Sequence, residues 1–469
     1  MKILLALQGF PPELMGGTEN SARETAHALV RAGHEVVIVA GSDRWQDGFR
    51  LTEQEEIESR TGRVIRVFRI HRDDLYFCHW QKSLSVAVGR TFQEVLRRER
   101  PDLVHVHHWL RLSRDLVWRA AQEGIPAMVT LHDMWSTCLV CFRIRPDTRD
   151  ICTTPLAASA CTGCAAHLVP RTPWRSAAEV SAEADRFRQD LIREVRLARA
   201  VVALSHAHVR QVEAVTAPRG VPVRPLLLGC DLDLPRKPPL APPAELGVLR
   251  LGCWATLHPL KGQDTLIEAV RLAAGGPLPI ELHLAGNQSD AAFIASLRTA
   301  AAAADLAVFV HGSYPAGGLP FHPVTDVHLM IAGTRALETW GVVIDEAVAL
   351  GLPMILPESG AYPEHIGGRG RGALFYERSN AESLAAVLRR LQREPGLVAA
   401  LRAELPTLRE ILPTVEAHVG QLERIYRDVC AQGAPAVEPI DRDREEADEA
   451  AQRAWDRALE SCSPEQLGF

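Results

Sequence analysis

No stretch of about 18 consecutive apolar residues occurs in this chain, so nothing in it reads as a membrane-spanning helix. The opening Met1-Lys-Ile-Leu-Leu-Ala-Leu7 lacks the basic region, longer apolar stretch and cleavage site of a secretory leader. It reads instead as a first buried strand. Neither sign of charge dominates: 52 basic residues stand against 58 acidic ones, a formal net charge of −6, which argues against a nucleic-acid partner. A Gly-x-Gly-x-x-Gly fingerprint after a predicted strand is also missing, which weighs against a nicotinamide enzyme. These absences lead us to expect a cytoplasmic protein. The arginine-rich stretch from Arg171 to Arg199 has acids interleaved and reads as a solvated helix, with a peripheral membrane contact as the alternative.

What is present is enough apolar material for more than one core. With 469 residues, of which 47% are apolar and 23% charged, two domains are expected. Short apolar strands alternate with amphipathic helices, the pattern of parallel sheets with helices on both faces. In the first half the strands read Lys2–Leu7, Glu35–Ala40, Leu103–Val106, Ala127–Leu131, Val201–Leu204 and Val223–Leu228. The second series reads Leu249–Cys253, Ile280–Leu284, Val308–Val310, Val327–Ile331, Met354–Leu356 and Ala373–Phe375. Between them lies Pro235-Arg-Lys-Pro-Pro-Leu-Ala-Pro-Pro243, whose prolines predict a stiff, extended connection. The fold class is therefore α/β with two Rossmann-like domains. The expected divisions are 1–234, a linker 235–247, 248–414, a helix 415–430 and a charged tail 431–469.

The segment richest in chemistry is Glu338-Thr-Trp-Gly-Val-Val-Ile-Asp-Glu346, continuing through Ala347–Leu350 to Gly351-Leu-Pro353. A loop that turns into a helix at Gly341 presents unpaired N–H groups and the positive end of the helix dipole, which favour phosphate oxygens. An acid just inside that helix can accept from ribose hydroxyls, and one before the turn can reach a sugar. A bare pair of glutamates eight apart is common on solvated helix faces, but here the glycine, the apolar run and the following strand agree. The segment closely resembles the Glu-x7-Glu signature of the retaining nucleotide-sugar glycosyltransferases of family 4.

That resemblance extends over residues 1–430 and implies the GT-B fold, two Rossmann-like domains facing across a cleft. It implies transfer of a sugar from a nucleoside diphosphate donor to a hydroxyl acceptor, with retention at the anomeric carbon and without a cofactor in catalysis. The acceptor could be a saccharide, a lipid-linked sugar or a small metabolite, as in polysaccharide biosynthesis. Pro11-Pro12 followed by Gly16-Gly17 matches the family's first loop; alone, the glycine pair would as readily be a turn and helix start. His132, in Leu131-His-Asp133 at a strand's C-terminal end, is expected near sugar and acceptor, or else hydrogen-bonded within the wall. His105, His107, His108 and Trp109 are expected as wall residues rather than metal ligands. Ala255-Thr-Leu-His-Pro-Leu-Lys261-Gly262 matches the family's Gly-Arg-x4-Lys-Gly only in part. Lys261 is retained for the diphosphate, whereas Thr256 stands in place of arginine, and Arg335 is the candidate substitute cation. Glu338, Gly341, Val342 and Glu346 complete the donor set. Ser359-Gly360 and Glu364 match the loop that follows. Asp231-Leu-Asp233 is expected as an interdomain turn rather than a metal site.

Five of the ten cysteines fall together: Cys138, Cys141, Cys152, Cys161 and Cys164. Paired Cys-x2-Cys units in a reducing setting suggest a thiolate metal site more than disulfides. Free thiols in a loop and an iron–sulfur cluster are the alternatives. A subset of the family resembles this chain in carrying a cysteine-rich insertion after His-Asp-x-Trp, here about residues 136–166. By that resemblance Cys138, Cys152, Cys161 and Cys164 would hold a structural Zn, leaving Cys141 spare.

Overall fold

A computed structural model of the chain describes residues 1–156, 158–216, 222–288, 290–315, 317–368 and 370–469. The chain divides into two units, the first made of Met1–Leu228 and Val415–Phe469, the second of Gly229–Thr414.

In the first unit the strands are β1 (Lys2–Leu7), β2 (Glu35–Gly41), β3 (Arg50–Ile57), β4 (Val64–His71), β5 (Leu103–Val106), β6 (Ala127–Leu131), β7 (Ala200–Ala203) and β8 (Val223–Pro225). They form one sheet in the order β3-β4-β2-β1-β5-β6-β7-β8. Every pair is parallel except β3 with β4. Continuous apolar runs such as Ile3–Leu7 and Val36–Ala40 are buried on both faces, as helices covering both sides of a parallel sheet require. β3 and β4 were not expected from the sequence. β3 reads Arg-Leu-Thr-Glu-Gln-Glu-Glu-Ile and is largely exposed, a charged edge strand that discourages pairing with another chain.

Helix Val415–Gln432 packs on the same unit. Its Val415, Val419, Leu422, Tyr426 and Val429 join a core with Ile3, Leu5, Leu29 and Val36. Each large apolar side chain so buried contributes roughly 1.5–3 kcal/mol. The tail beyond it is largely exposed but anchored at a few points. Helix Arg442–Glu460 buries Trp455 and Leu459, and Glu445 receives Arg119 Nη2 at 2.7 Å. Arg186, one of the arginines of the basic stretch, pairs with Asp448 of that helix at 2.5 Å.

The second unit contains β9 (Leu249–Trp254), β10 (Ile280–Ala285), β11 (Ala307–Val310), β12 (Leu329–Ile331), β13 (Met354–Pro357) and β14 (Ala373–Tyr376). Their order is β11-β10-β9-β12-β13-β14, all parallel. The proline-rich stretch lies on this unit: Arg236 Nε donates to the Ala349 carbonyl at 2.6 Å, and Lys237 pairs with Asp326 at 2.6 Å. Asp233 also belongs here, paired with Arg409.

Candidate active site

In the second unit, three loops leave the C-terminal ends of β9, β12 and β13, the edge at which parallel α/β sheets bind ligands. The β9 loop carries Thr256 and Lys261, and the β12 loop carries Arg335, Glu338 and Gly341. Lys261 Nζ stands 3.8 Å from Glu338 Oε2, with side chains 39% and 17% exposed, so a solvent-reachable cation and acid share one spot. Tyr362, after β13, donates its hydroxyl to the same Glu338 oxygen at 3.4 Å. Gly341 caps helix Val342–Leu350 with φ +93°, and a Cβ there would lie 2.4 Å from Tyr362 Cε1. Only glycine suits both the left-handed backbone and that approach. The first turn of the helix therefore opens toward Glu338 with no side chain at its cap.

Glu346, one turn further in, accepts from Trp254 Nε1 at 2.8 Å. Trp254 is the last residue of β9, so the indole links the strand end to the helix. Beneath them Asp345 is buried and accepts from Trp340 Nε1 at 3.0 Å and His365 Nε2 at 2.8 Å. The rings of Trp340 and His365 stack at 3.7 Å. Arg335 is engaged within the loops: Nη1 reaches the Pro259 carbonyl at 2.5 Å, and Nη2 reaches Asp264 at 2.7 Å and Thr265 at 2.9 Å. Thr256 is exposed, and its carbonyl accepts from Gln263 at 3.0 Å.

In the first unit, Gly16 caps helix Gly17–Arg31 without a side-chain bond. Glu19 of its first turn is buried and receives Gln8 Nε2 at 2.8 Å. Burial pushes the Glu19 carboxyl up, against the pull of Arg111, His108 and Gln8. His132 follows β6, and its Nε2 meets His107 Nδ1 at 2.9 Å. His107 lies against the His105 ring at 4.1 Å, and His105 bonds Tyr426 at 2.8 Å and Thr130 at 2.7 Å. Burial holds His105, His107 and His132 well below the ordinary histidine value. Burial works to raise Asp133, but His108, the Trp135 amide and the Cys141 thiol outweigh it and hold it low.

The cysteine segment is braced by Arg143, which is buried and donates to the Cys152 carbonyl and the Thr137 carbonyl, both at 2.8 Å. Its Nη2 also meets Cys152 Sγ at 3.6 Å. Cys141 Sγ donates to Asp133 at 3.1 Å, and burial pushes the Cys138 thiol up to about 11. None of the five is in a disulfide, and among the described residues no group of three or more His, Cys, Asp or Glu is gathered as a metal site.

Residues 15–226 match the model described as Glycosyltransferase Family 4, and residues 249–394 match Glycosyl transferases group 1. The two halves of the chain are thus similar to family 4 and group 1 glycosyltransferases, and the fold is of the GT-B type. Glycogen synthase of Mycobacterium tuberculosis is 25% identical over 143 residues, 28% of this chain and 33% of the relative. The chain thus spans about a third of the length of that curated relative. Among solved structures, sucrose-phosphate synthase from Thermosynechococcus elongatus aligns with a TM-score of 0.63 at 18% identity, covering 92% of this chain and 100% of that one. HepE of Anabaena, solved with UDP-glucose, aligns at 0.60 and 16%, covering 91% and 99%. At such identities the likeness speaks for the fold alone.

In this chain Lys261, Glu338, Gly341, Val342, Glu346, Arg335 and Thr256 fall on the loops and helix at one sheet edge of the second unit. Gly16, Gly17 and His132 lie in the first unit. Sequence reasoning did not single out Trp254 and Tyr362, which bond Glu346 and Glu338, or Asp345 and His365, which hold Trp340. Trp254 closes an apolar strand and Tyr362 follows a glycine turn, so neither announces a contact with a glutamate nearly a hundred or two dozen residues away.

Proposed function

We propose that the chain transfers a sugar from a nucleoside diphosphate to a hydroxyl acceptor, with retention of anomeric configuration. The observation that carries this reading is the convergence of Lys261, Glu338 and the open start of helix Val342–Leu350, with Glu346 held by Trp254 behind them. Lys261 and the backbone N–H groups at Gly341 and Val342 would bind the diphosphate, Glu346 the ribose and Glu338 the donor sugar. Charge grows on the diphosphate as its bond to the anomeric carbon breaks, and preorganised donors favour that state over the ground state. The acceptor oxygen bonds to the same face of that carbon, and its proton passes to the departing phosphate. His132 would contact sugar and acceptor, positioned by His107. We assign no metal to this step. HepE, solved with UDP-glucose, supports a donor of the same class. The proposal includes a cytoplasmic setting.

For the cysteine segment we propose a structural zinc on Cys138, Cys152, Cys161 and Cys164. Cys141 donates its thiol to Asp133, and the other four are the set that the resemblance implies. The thiols would have to close on the ion, and zinc-free purified protein that folds normally would refute the assignment.

A second reading is favoured by Thr256 and by the engagement of Arg335: a donor-binding protein without turnover. A panel of nucleotide sugars separates the two when thermal stabilisation and diphosphate release are recorded together. Stabilisation by one donor, lost in Glu346→Ala, with diphosphate release supports transfer or hydrolysis, and acceptor dependence identifies transfer. Stabilisation without release under any acceptor supports the binding protein. No response to any donor overturns both.

A further inference from the structure

The second unit holds a cavity of about 700 Å³ that shares no lining residue with the donor loops. It lies at the opposite edge of the sheet: Val327 and Leu352, which line it, stand just before β12 and β13, whereas the donor loops leave the C-terminal ends. Its volume falls within the range of small-molecule sites. Leu234, Val327, Leu352 and Leu405 give it apolar walls.

Its charge is unbalanced. Arg236, Lys237, Arg402 and Arg409 line it, against the carboxylates Asp233 and Asp326, an excess of two positive charges. Arg409 pairs with Asp233, and Lys237 with Asp326 at 2.6 Å. Arg236 caps the end of helix Val342–Leu350 through the Ala349 carbonyl at 2.6 Å. Arg402 differs from all of these. Its Nε and Nη2 are buried without a hydrogen-bond partner, and no carboxylate pairs with it among the described residues. Arg119 reaches Asp115, Gln93 and Glu445, and Arg114 reaches Asp190 and Ser83. Arg69 and Arg193 also have buried nitrogens without a hydrogen bond, but each faces a carboxylate, Glu13 at 3.4 Å and Asp190 at 3.3 Å. A guanidinium left unpaired in a wall is unfavourable, because its desolvation has no compensating anion.

We propose that this cavity binds a small organic phosphate, its dianionic head on Arg402 and Arg236 and its body against the leucine wall. A dianion matches the excess of two, and guanidinium groups suit phosphate oxygens. The cavity also touches Val348 and Leu350, the last turn of the helix whose first turn carries the donor residues. The ligand would therefore act as an effector bound away from the donor.

Phenyl phosphate, titrated calorimetrically into the full chain, is the probe. Binding is expected in the wild type and unchanged in Lys261→Ala, which disables phosphate binding at the donor loops. Arg402→Gln is expected to weaken it by about tenfold or more, a difference of about 1.4 kcal/mol. Leu234→Trp, which fills the cavity and leaves every cation in place, is expected to abolish it, so the outcome does not rest on the folding of a single variant. Benzoate, a monoanion, is expected to bind more weakly. Binding lost in Lys261→Ala but kept in Arg402→Gln and Leu234→Trp would overturn the proposal, as would no binding at millimolar phenyl phosphate. Equal affinity for benzoate would overturn the assignment to phosphate.

Discussion

Arg335 donates to Asp264 at 2.7 Å, and so ties the loop carrying Glu338 to the helix that follows Lys261. The same guanidinium holds the Pro259 carbonyl at 2.5 Å, two residues before Lys261. The two loops thus owe their relative position to one planar fork, a task lysine cannot reproduce.

Arg335→Lys is accordingly expected to raise the donor KM by about tenfold, through loss of the hydrogen bonds that set the two loops. Lys261→Ala removes a cation from the leaving-group side and is expected to lower kcat by about 10²–10³. Steady-state kinetics of both variants checks the division. An unchanged KM in Arg335→Lys would show that the loops hold their position without the fork.

Trp254→Phe keeps the ring and deletes the N–H that reaches Glu346 at 2.8 Å. Hydrogen bonds to charged groups contribute about 1.5–3 kcal/mol, so donor affinity is expected to fall by roughly tenfold or more. Calorimetry with the preferred nucleotide sugar gives the number. Affinity equal to that of the wild type would mean that Glu346 is positioned by other contacts.

Gly341 and Gly351 flank one helix and both have positive φ, +93° and +74°. A Cβ at Gly341 would strike Tyr362, whereas at Gly351 it would meet nothing within 4 Å. Gly351→Ala should therefore cost only backbone strain, about 1–2 kcal/mol. Gly341→Ala should cost more and also abolish donor binding. Thermal melts compared with donor titrations test the pair, and equal losses in the two variants would rule out the steric role of Tyr362.

Stability should fall as the medium is acidified below about pH 6.5. Burial lowers His105, His107 and His132 well below the ordinary value of 6.5, so the unfolded chain takes up protons there that the folded chain refuses. The unfolded state then binds more protons, and stability rises with pH across that window and levels off above it. Each such histidine contributes at most about 1.4 kcal/mol per pH unit. Urea denaturation between pH 7.5 and pH 5 should show this slope, and His107→Asn should reduce it by up to one proton. A variant with the wild-type slope would place the proton uptake elsewhere.

Both sheets were legible where each strand announces itself locally. Runs such as Lys2–Leu7 and Leu249–Trp254 are apolar on both faces, and that pattern needs no partner to be read. β3 escaped notice because its alternating glutamates are those of an exposed edge, indistinguishable in sequence from a loop. Nor does anything near Glu445 in the chain show that it accepts from Arg119, 326 residues away.

The sequence by itself determined the parallel α/β architecture and the position of Glu338, Gly341 and Glu346 around a helix start, because glycine conformation and helix periodicity act over a few residues. Only the tertiary structure decided that Arg335 clamps the two donor loops, that Trp254 holds Glu346 and that Arg402 stands unpaired in a cavity wall. Those relationships join residues dozens of positions apart, and burial and electrostatics act through space, blind to distance along the chain.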